Sequence, residues 1–294
     1  EEWFSSEAPV GSLKDRLRVL RGRSRSSWLI VTFVADQAPH KTPDRIAGMF
    51  DAIAPRYDLL NHLLSAGIDR RWRTRMIASL SLTGQETLID VCTGTADVAL
   101  EARRGAATRW TGTAARVLGV DFAGAMLALG LRKVRDAGEH RHVVLVRGDA
   151  MRIPAADGVA DAATVAFGVR NVLKTDVACR ELARVLRPGG RLAILEFSVP
   201  RIPGLAALYR WYFSRVLPLI GRAISGHSGA YSYLPASVGT FPPPSEFVTL
   251  LRQSGFQDVR AVPLTFGIVY LYAAVRESGS TGQSRVGDGL DRLV

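Results

Sequence analysis

Cysteine is nearly missing from this chain: Cys92 and Cys179 are its two instances in 294 residues. That excludes a disulfide framework and a cysteine-rich zinc site, and it fits a reducing, cytoplasmic setting. Long apolar runs are missing as well. No stretch reaches the ~18 uninterrupted apolar residues that a membrane-crossing helix needs. The nearest, residues 205–224, is broken by Arg210, Arg215, Pro218 and Arg222. Residues 28–35 (WLIVTFVA) follow a basic stretch, as a secretory leader would, but they are too short to span and no small-residue cleavage signal stands out. Blocks of like charge are also lacking. The net charge of +11 invites a nucleic-acid or anionic-membrane reading, yet the arginines are scattered rather than gathered into a tail.

What remains is an ordinary globular balance, 47% hydrophobic and 22% charged, enough for the core of one large α/β domain with appended segments. Residues 1–40 are read as an appended or upstream-translated extension with no assigned role. Between 41 and 80 apolar residues recur at helical spacing (Ile46, Met49, Phe50, Ile53, then Leu59, Leu60, Leu63, Leu64), with Pro55 between the two helices. From Thr87 the pattern changes. Strands are expected at 87–91, 116–121, 142–148, 160–167 and 191–197, with helices between them, including 126–137 and 177–186, which predicts a parallel doubly wound sheet. Arg187-Pro-Gly-Gly reads as a helix stop and tight turn feeding the fifth strand. An insertion rich in aromatics, arginine and proline occupies about 200–244. A helix at 244–254 and two strands near 258–264 and 268–275 follow, and 277–294 reads as a disordered tail.

The most informative stretch is LIDVCTGTADVAL, residues 88–100: an apolar strand ending in Asp90, a small-residue loop, then a helix. Ligands of open α/β sheets bind at such strand ends, and glycine there leaves room for backbone to approach them. A dinucleotide fingerprint needs three glycines, but here Gly94, Ala96 and Ala99 occupy those places, which disfavours a dehydrogenase. Asp121, closing the next strand, suits a ribose hydroxyl.

Taken with GDAMRIP (148–154), FGVRNV (167–172), RVLRPGGRLAILEFSVP (184–200), YSYLPASVGTFPPPSEF (231–247) and AGMFDAIAPRYDLLNHLLSAGIDRRWR (47–73), this loop resembles the ubiquinone/menaquinone biosynthesis C-methyltransferase family from about 41 to 276. The resemblance implies a class I S-adenosylmethionine-dependent methyltransferase: a Rossmann-like doubly wound α/β sheet with N-terminal helices and a helical lid insertion. It implies S-adenosyl-L-methionine as methyl donor, with Asp90, Gly94 and Thr95 around its methionine part, Asp121 on its ribose, and Asp149 and Ala150 at its adenine. For Asp90 and Asp121 the alternative is a carboxylate capping the following helix. The family carries glycine where this chain has Ala96. A methyl group there is expected to narrow the approach of the methionine carboxylate.

The reaction so implied places a methyl group on a ring carbon of a polyprenylated quinol, demethylmenaquinol to menaquinol by preference. The alternatives are a methoxy-polyprenyl-benzoquinol of ubiquinone biosynthesis, or a non-catalytic cofactor-binding member of a quinone-synthesis complex. An aromatic carbon attacks the donor methyl only when the ring is electron-rich, as a quinol becomes on losing a hydroxyl proton. The enzyme then supplies alignment, charge stabilisation and a route for the proton. Arg170, Asn171 and Tyr57 are the candidate catalytic residues. Arg170 stays protonated and would stabilise a quinolate or orient a water, Asn171 would fix the ring oxygen, and Tyr57 would close over the site. For Arg170 the competing role is a salt bridge holding the strand end, and for Tyr57 it is packing. His227 tempts as a base but sits in a glycine- and serine-flanked loop, and Cys92 reads as loop packing, since methyl transfer needs no covalent enzyme intermediate. Partners expected are the quinol, peripheral membrane contact through the 205–224 segment at the inner face of the cell membrane, and a homodimer. No nucleic acid is expected, because FGVRN stands where a nucleic-acid methyltransferase would carry an Asn/Asp-Pro-Pro-aromatic site.

Overall fold

A computed structural model describes residues 46, 48–52, 54, 65, 67–109, 116–200, 202–212, 215 and 229–278. The N-terminal extension, Tyr57, His227 and the tail from 279 onward lie outside the described residues. The strands are β1 (Thr87–Val91), β2 (Arg116–Asp121), β3 (Val143–Arg147), β4 (Ala160–Ala166), β5 (Leu186–Phe197), β6 (Phe256–Leu264) and β7 (Val269–Arg276). The helices are α1 (Ile68–Ser79), α2 (Asp97–Arg109), α3 (Gly124–Asp136), α4 (Thr175–Val185), α5 (Pro203–Trp211), α6 (Gly229–Thr240) and α7 (Pro244–Gln253).

All seven strands form one sheet in the order β3-β2-β1-β4-β5-β7-β6. The pairs β3-β2, β2-β1, β1-β4 and β4-β5 are parallel, while β7 runs antiparallel to both β5 and β6. Strand order reverses between β1 and β4, and the crevice beyond the carboxyl ends of those strands is where such sheets take ligands. The central strands carry near-continuous apolar runs because both faces are covered: Ile89, Val91, Val165 and Ile194 pack on one side with α4 and α7, Leu88, Ala162 and Leu195 on the other with α1 and α2.

Two differences from the sequence reading change the strand pairing. Leu186 already pairs with Ala160, so residues 187–190 form a bulge inside a long β5 rather than a turn before it. Ala162 next pairs with Arg191, and Gly189 takes a φ of 75° within the bulge. β6 starts earlier than expected, at Phe256, and bulges where Asp258 adopts a φ of 53°. Among the described residues, no helix is long and apolar enough to cross a membrane.

Candidate functional site

The carboxyl ends of β1, β2 and β4 and the turn after β3 surround a cleft with about 830 Å³ of free space, counting the part open to solvent. Two kinds of wall meet there. One is polar and backbone-rich: Gly94, Asp121, Gly148, Asp149 and Ala150. The other is apolar, with Ile46, Phe50, Met126, Phe167, Val172 and Leu173, and it carries one amide, Asn171.

Asp121 lies at the end of β2 because the strand's apolar run stops there. Its Oδ2 accepts Gly94 N–H at 2.7 Å and its Oδ1 accepts Ala123 N–H at 2.9 Å, so one carboxylate ties the β1 loop to the start of α3. Burial raises its pKa against those two donors. Gly94 has a φ of 54°, and a Cβ built on it would meet nothing within 4 Å, so the loop leaves open space on the ligand side. Asp149 accepts Met151 N–H at 2.8 Å, which fixes the tight turn presenting Ala150 to the cleft.

Asp90 is not in the lining. It is 1% exposed and accepts the hydroxyls of Thr93 (2.6 Å) and Thr164 (2.7 Å), holding the loop from beneath. Burial pushes its pKa up to about 7 despite those donors. Thr95 is also turned away. Its hydroxyl accepts Lys133 Nζ at 3.1 Å, and Lys133 forms a short ion pair with Asp97.

Ala96 requires a correction. Its φ is 65° and it is fully buried, packed with the α1–α2 core and next to Gly130 of α3, so its methyl group points behind the loop and narrows no ligand approach. What it costs is left-handed backbone, roughly 1–2 kcal/mol for a residue with a Cβ.

Arg170 requires another. It does not line the cleft. Its guanidinium pairs with Glu196 at 2.7 Å, donates to Phe167 O, lies 3.4 Å from Ser237 Oγ and stacks 5.4 Å over Phe197. Glu196 is 0% exposed and also accepts Phe197 N–H at 2.9 Å. The geometry is that of the salt bridge holding the end of β4 to β5, not of a group facing a substrate ring.

Asn171, next in sequence on a short 3-10 turn (Val169–Asn171), does face the cleft. Its Nδ2 points at Phe167 O, 3.5 Å away, which leaves Oδ1 buried with no hydrogen-bond partner among the described residues. An orphaned buried acceptor is uncommon in a folded protein and marks a place where a donor is due.

Sequence reasoning did not place several groups that line or back the cleft. Asp51 Oδ1 accepts Ala125 N–H at 2.8 Å, clamping the N-terminal helical residues 48–52 onto the start of α3 and bringing Phe50 over the cleft. Cys92 also lines it, at a φ of 57°, with its thiol pKa raised well above normal by burial and the neighbouring carboxylates. A protonated thiol is no nucleophile. Phe167, Trp72 and Phe197 form an aromatic cluster behind the wall, with Phe167 and Phe197 centroids 4.6 Å apart.

A parallel sheet with one reversed strand between β5 and β6, a small-residue loop after β1 and an acid at the end of β2 together define a class I S-adenosylmethionine-dependent methyltransferase. Consistent with that fold, a solved structure of an S-adenosylmethionine-dependent methyltransferase from Thermotoga maritima, described as a possible histamine N-methyltransferase, superposes with a TM-score of 0.54 at 14% identity, covering 79% of this chain and all of that one. Residues 39–276 match the model of the ubiE/COQ5 methyltransferase family, and the chain belongs to that family. It is 45% identical over 233 residues to a ubiquinone/menaquinone biosynthesis C-methyltransferase of Geobacter sp. strain M21, covering 79% of this chain and 97% of that one. It is 44% identical over 228 residues to a demethylmenaquinone methyltransferase of Thermus thermophilus, covering 78% of this chain and all of that one.

Proposed function

We propose that the protein methylates a ring carbon of a reduced, polyprenylated quinol, turning demethylmenaquinol into menaquinol. The observation that carries the reading is Asn171, the one amide among the described, largely apolar lining residues on that side, whose Oδ1 is buried without a hydrogen-bond partner among the described residues. A flat apolar ring with a hydroxyl group fits that wall, and a hydroxyl is the donor that Asn171 Oδ1 lacks.

The polar wall fits S-adenosyl-L-methionine, which when bound supplies an electrophilic methyl group. Asp121 would accept the ribose hydroxyls, Asp149 and Ala150 would meet the adenine, and the open backbone at Gly94 would face the methionine part. Asp90 and Thr95 act one step back, fixing the loop that carries Gly94. Phe50 and Phe167 hold the ring flat, while Asn171 sets its rotation so that one ring carbon faces the donor. Alignment of this kind is worth several kcal/mol of barrier, up to about 7–11 in favourable cases. Among the described lining residues the carboxylates are Asp121 and Asp149, both on the cofactor side. In this reading the phenolic proton therefore passes to water hydrogen-bonded at Asn171, and after methyl transfer the hydrogen on the methylated ring carbon leaves to water while the ring oxygen is reprotonated, which restores the aromatic quinol. Tyr57 keeps its proposed place over the site.

The preference for the menaquinone branch rests on the YSYLPASV…FPPP segment, part of which forms α6 against Arg170 through Ser237. Peripheral contact with the inner face of the cell membrane and a homodimer belong to the same proposal, the first because a polyprenyl tail keeps the substrate in lipid. The test incubates the protein with methyl-labelled S-adenosyl-L-methionine and either demethylmenaquinol or a methoxy-polyprenyl-benzoquinol, each also supplied unreduced. Label in menaquinol from the reduced substrate is the expected result. Label confined to the benzoquinol moves the protein to the other branch, and cofactor binding without label in either rejects the reading.

A further inference from the structure

The turn joining β6 to β7 holds an arrangement that neither the cleft nor the core explains. Thr265, Phe266 and Gly267 have successive φ values of 46°, 58° and 83°. Left-handed backbone at two consecutive residues with side chains is uncommon, and for a bulky one such as phenylalanine it is an outlier. It persists only where the surroundings enforce it. They do so here: Trp72 Nε1 donates to Thr265 Oγ1 at 2.9 Å, Ile268 N–H returns to Thr265 O at 3.2 Å, and Ser198 N–H holds Ile268 O at 2.9 Å. The result of this pinning is that Phe266 stands 75% exposed, the most exposed large apolar side chain among the described residues. A fold that only needed to join two strands would have no use for it.

The surroundings fit lipid. β7 starts beside the end of β5, Val269 pairing with Phe197, so the turn shares an edge with the chain leaving β5, where Val199 and Ile202 are also exposed. Trp72, which pins the turn, contacts Phe167 of the cleft wall, with ring centroids 6.0 Å apart, so an aromatic path links the cleft to the turn. On α1, immediately before Trp72, Arg70 and Arg71 are exposed, and neither has an acidic partner among the described residues, whereas Arg73 is paired with Asp69. An exposed apolar tip, on a turn pinned to a helix that carries two exposed arginines, is complementary to an anionic bilayer, acyl chains taking the ring and headgroup phosphates the arginines.

We propose that the β6–β7 turn is a membrane anchor, with Phe266 inserted into an anionic bilayer and Arg70 and Arg71 at the phosphates, placing the cleft where a lipid-borne quinol enters. This rests on the quinol reading above, and it assigns the docking point to a turn rather than to the 205–224 segment.

The test is co-sedimentation of the full chain with vesicles of phosphatidylcholine alone or mixed with phosphatidylglycerol, alongside turnover on a short-tailed, water-soluble demethylmenaquinol. Wild type should sediment with the mixed vesicles. Phe266→Ser should weaken that binding roughly tenfold or more, from the transfer energy of the ring. Phe266→Trp, at the same backbone strain, should retain it. Arg70→Gln and Arg71→Gln should each cost roughly fivefold on anionic vesicles and little on neutral ones. All four should turn over the short-tailed quinol at the wild-type rate. Phe266→Ser sedimenting like wild type would overturn the anchor, as would wild type ignoring both vesicles. A dimer that Phe266→Ser dissociates, without vesicle binding, would reassign the turn to a protein contact. Vesicle binding without turnover on any quinol would leave the anchor standing and remove the substrate.

Discussion

Replacing Arg170 separates two roles that its sequence position leaves entangled. In the structure it neutralises Glu196, a carboxylate with no exposed surface. Arg170→Ala strands that carboxylate with only backbone donors among the described residues, at Phe197 N and, at 3.2 Å, Arg170 N. Breaking a buried pair from one side costs about 3–5 kcal/mol, and loss of the stack over Phe197 adds to it. Set against a total stability of ~5–15 kcal/mol, the single variant should lose roughly 10 °C or more in thermal midpoint and should lose activity with it. Arg170→Met with Glu196→Gln is the informative partner. The glutamine oxygen can still take Phe197 N–H, no charge is buried, and removing both ends of such a pair is often neutral or stabilising. Denaturant unfolding of the two single variants and the double should therefore show a coupling of at least ~2 kcal/mol, and the double variant should recover most of the quinol turnover. If the double variant folds as stably as wild type yet turns over about a hundredfold more slowly, with unchanged KM for the cofactor, Arg170 acts on the reacting ring and the reasoning is refuted.

Ala96→Gly relieves about 1–2 kcal/mol of left-handed strain but gives up a buried methyl worth ~0.8 kcal/mol and adds unfolded-state entropy of about 0.4–1 kcal/mol. The expected change in stability is near zero and in cofactor affinity under roughly threefold; calorimetry showing tenfold tighter binding would mean the methyl does face the ligand. Gly168→Ala should drive its new Cβ into Cys92 Cβ and to 2.8 Å from the sulfur, displacing the loop at about 1–3 kcal/mol of strain and weakening cofactor binding roughly tenfold. Adding Cys92→Gly, which removes both struck atoms at a φ of 57°, should restore it. Asp90 should give the apoprotein a distinctive pH dependence. Its pKa rises from 3.8 to about 7 on folding, so between those values the unfolded chain has lost the proton that the folded protein keeps, and stability falls as pH rises. Asp90→Asn should flatten that part of an unfolding-versus-pH curve, and an unchanged slope would assign it to another group.

Much of the fold was legible because its signal is local. Apolar runs closed by Asp90 and Asp121 fix where β1 and β2 end, and the resemblance of the flanking motifs fixed the class. What was not legible depends on pairings far apart in the chain. β7 enters between β5 and β6 through contacts 72 or more residues away from its β5 partners, as between Val275 and Arg191 at its far end and Val269 and Phe197 at its near end. Nothing in an alternating run announces which neighbour it will take. The same holds for Arg170, whose partner Glu196 sits on the next strand, and for Asp51, which caps α3 across 74 residues.

The loop after β1 shows why reading motif positions as contact positions misled at Asp90, Thr95 and Ala96. A short loop that must offer bare backbone to a ligand has little enthalpy of its own, so its side chains are drawn to the opposite side, where they can be satisfied. Asp90 takes two hydroxyls beneath it, Thr95 takes Lys133, Asp97 takes Lys133 and stands 3.5 Å from Arg73, and Ala96 fills the gap beside Gly130. Through those few groups α1, α2 and α3 are tied to one turn, and only Gly94, the residue with no side chain to anchor, is left facing the cleft together with Cys92 at the loop's start. A motif of this kind therefore reports rigidity more than contact. Substitutions at Asp90, Thr95 or Lys133 should change how firmly the loop is held, lowering stability and cofactor affinity together, whereas Asp121 and Asn171 should change what the cleft binds with the loop intact.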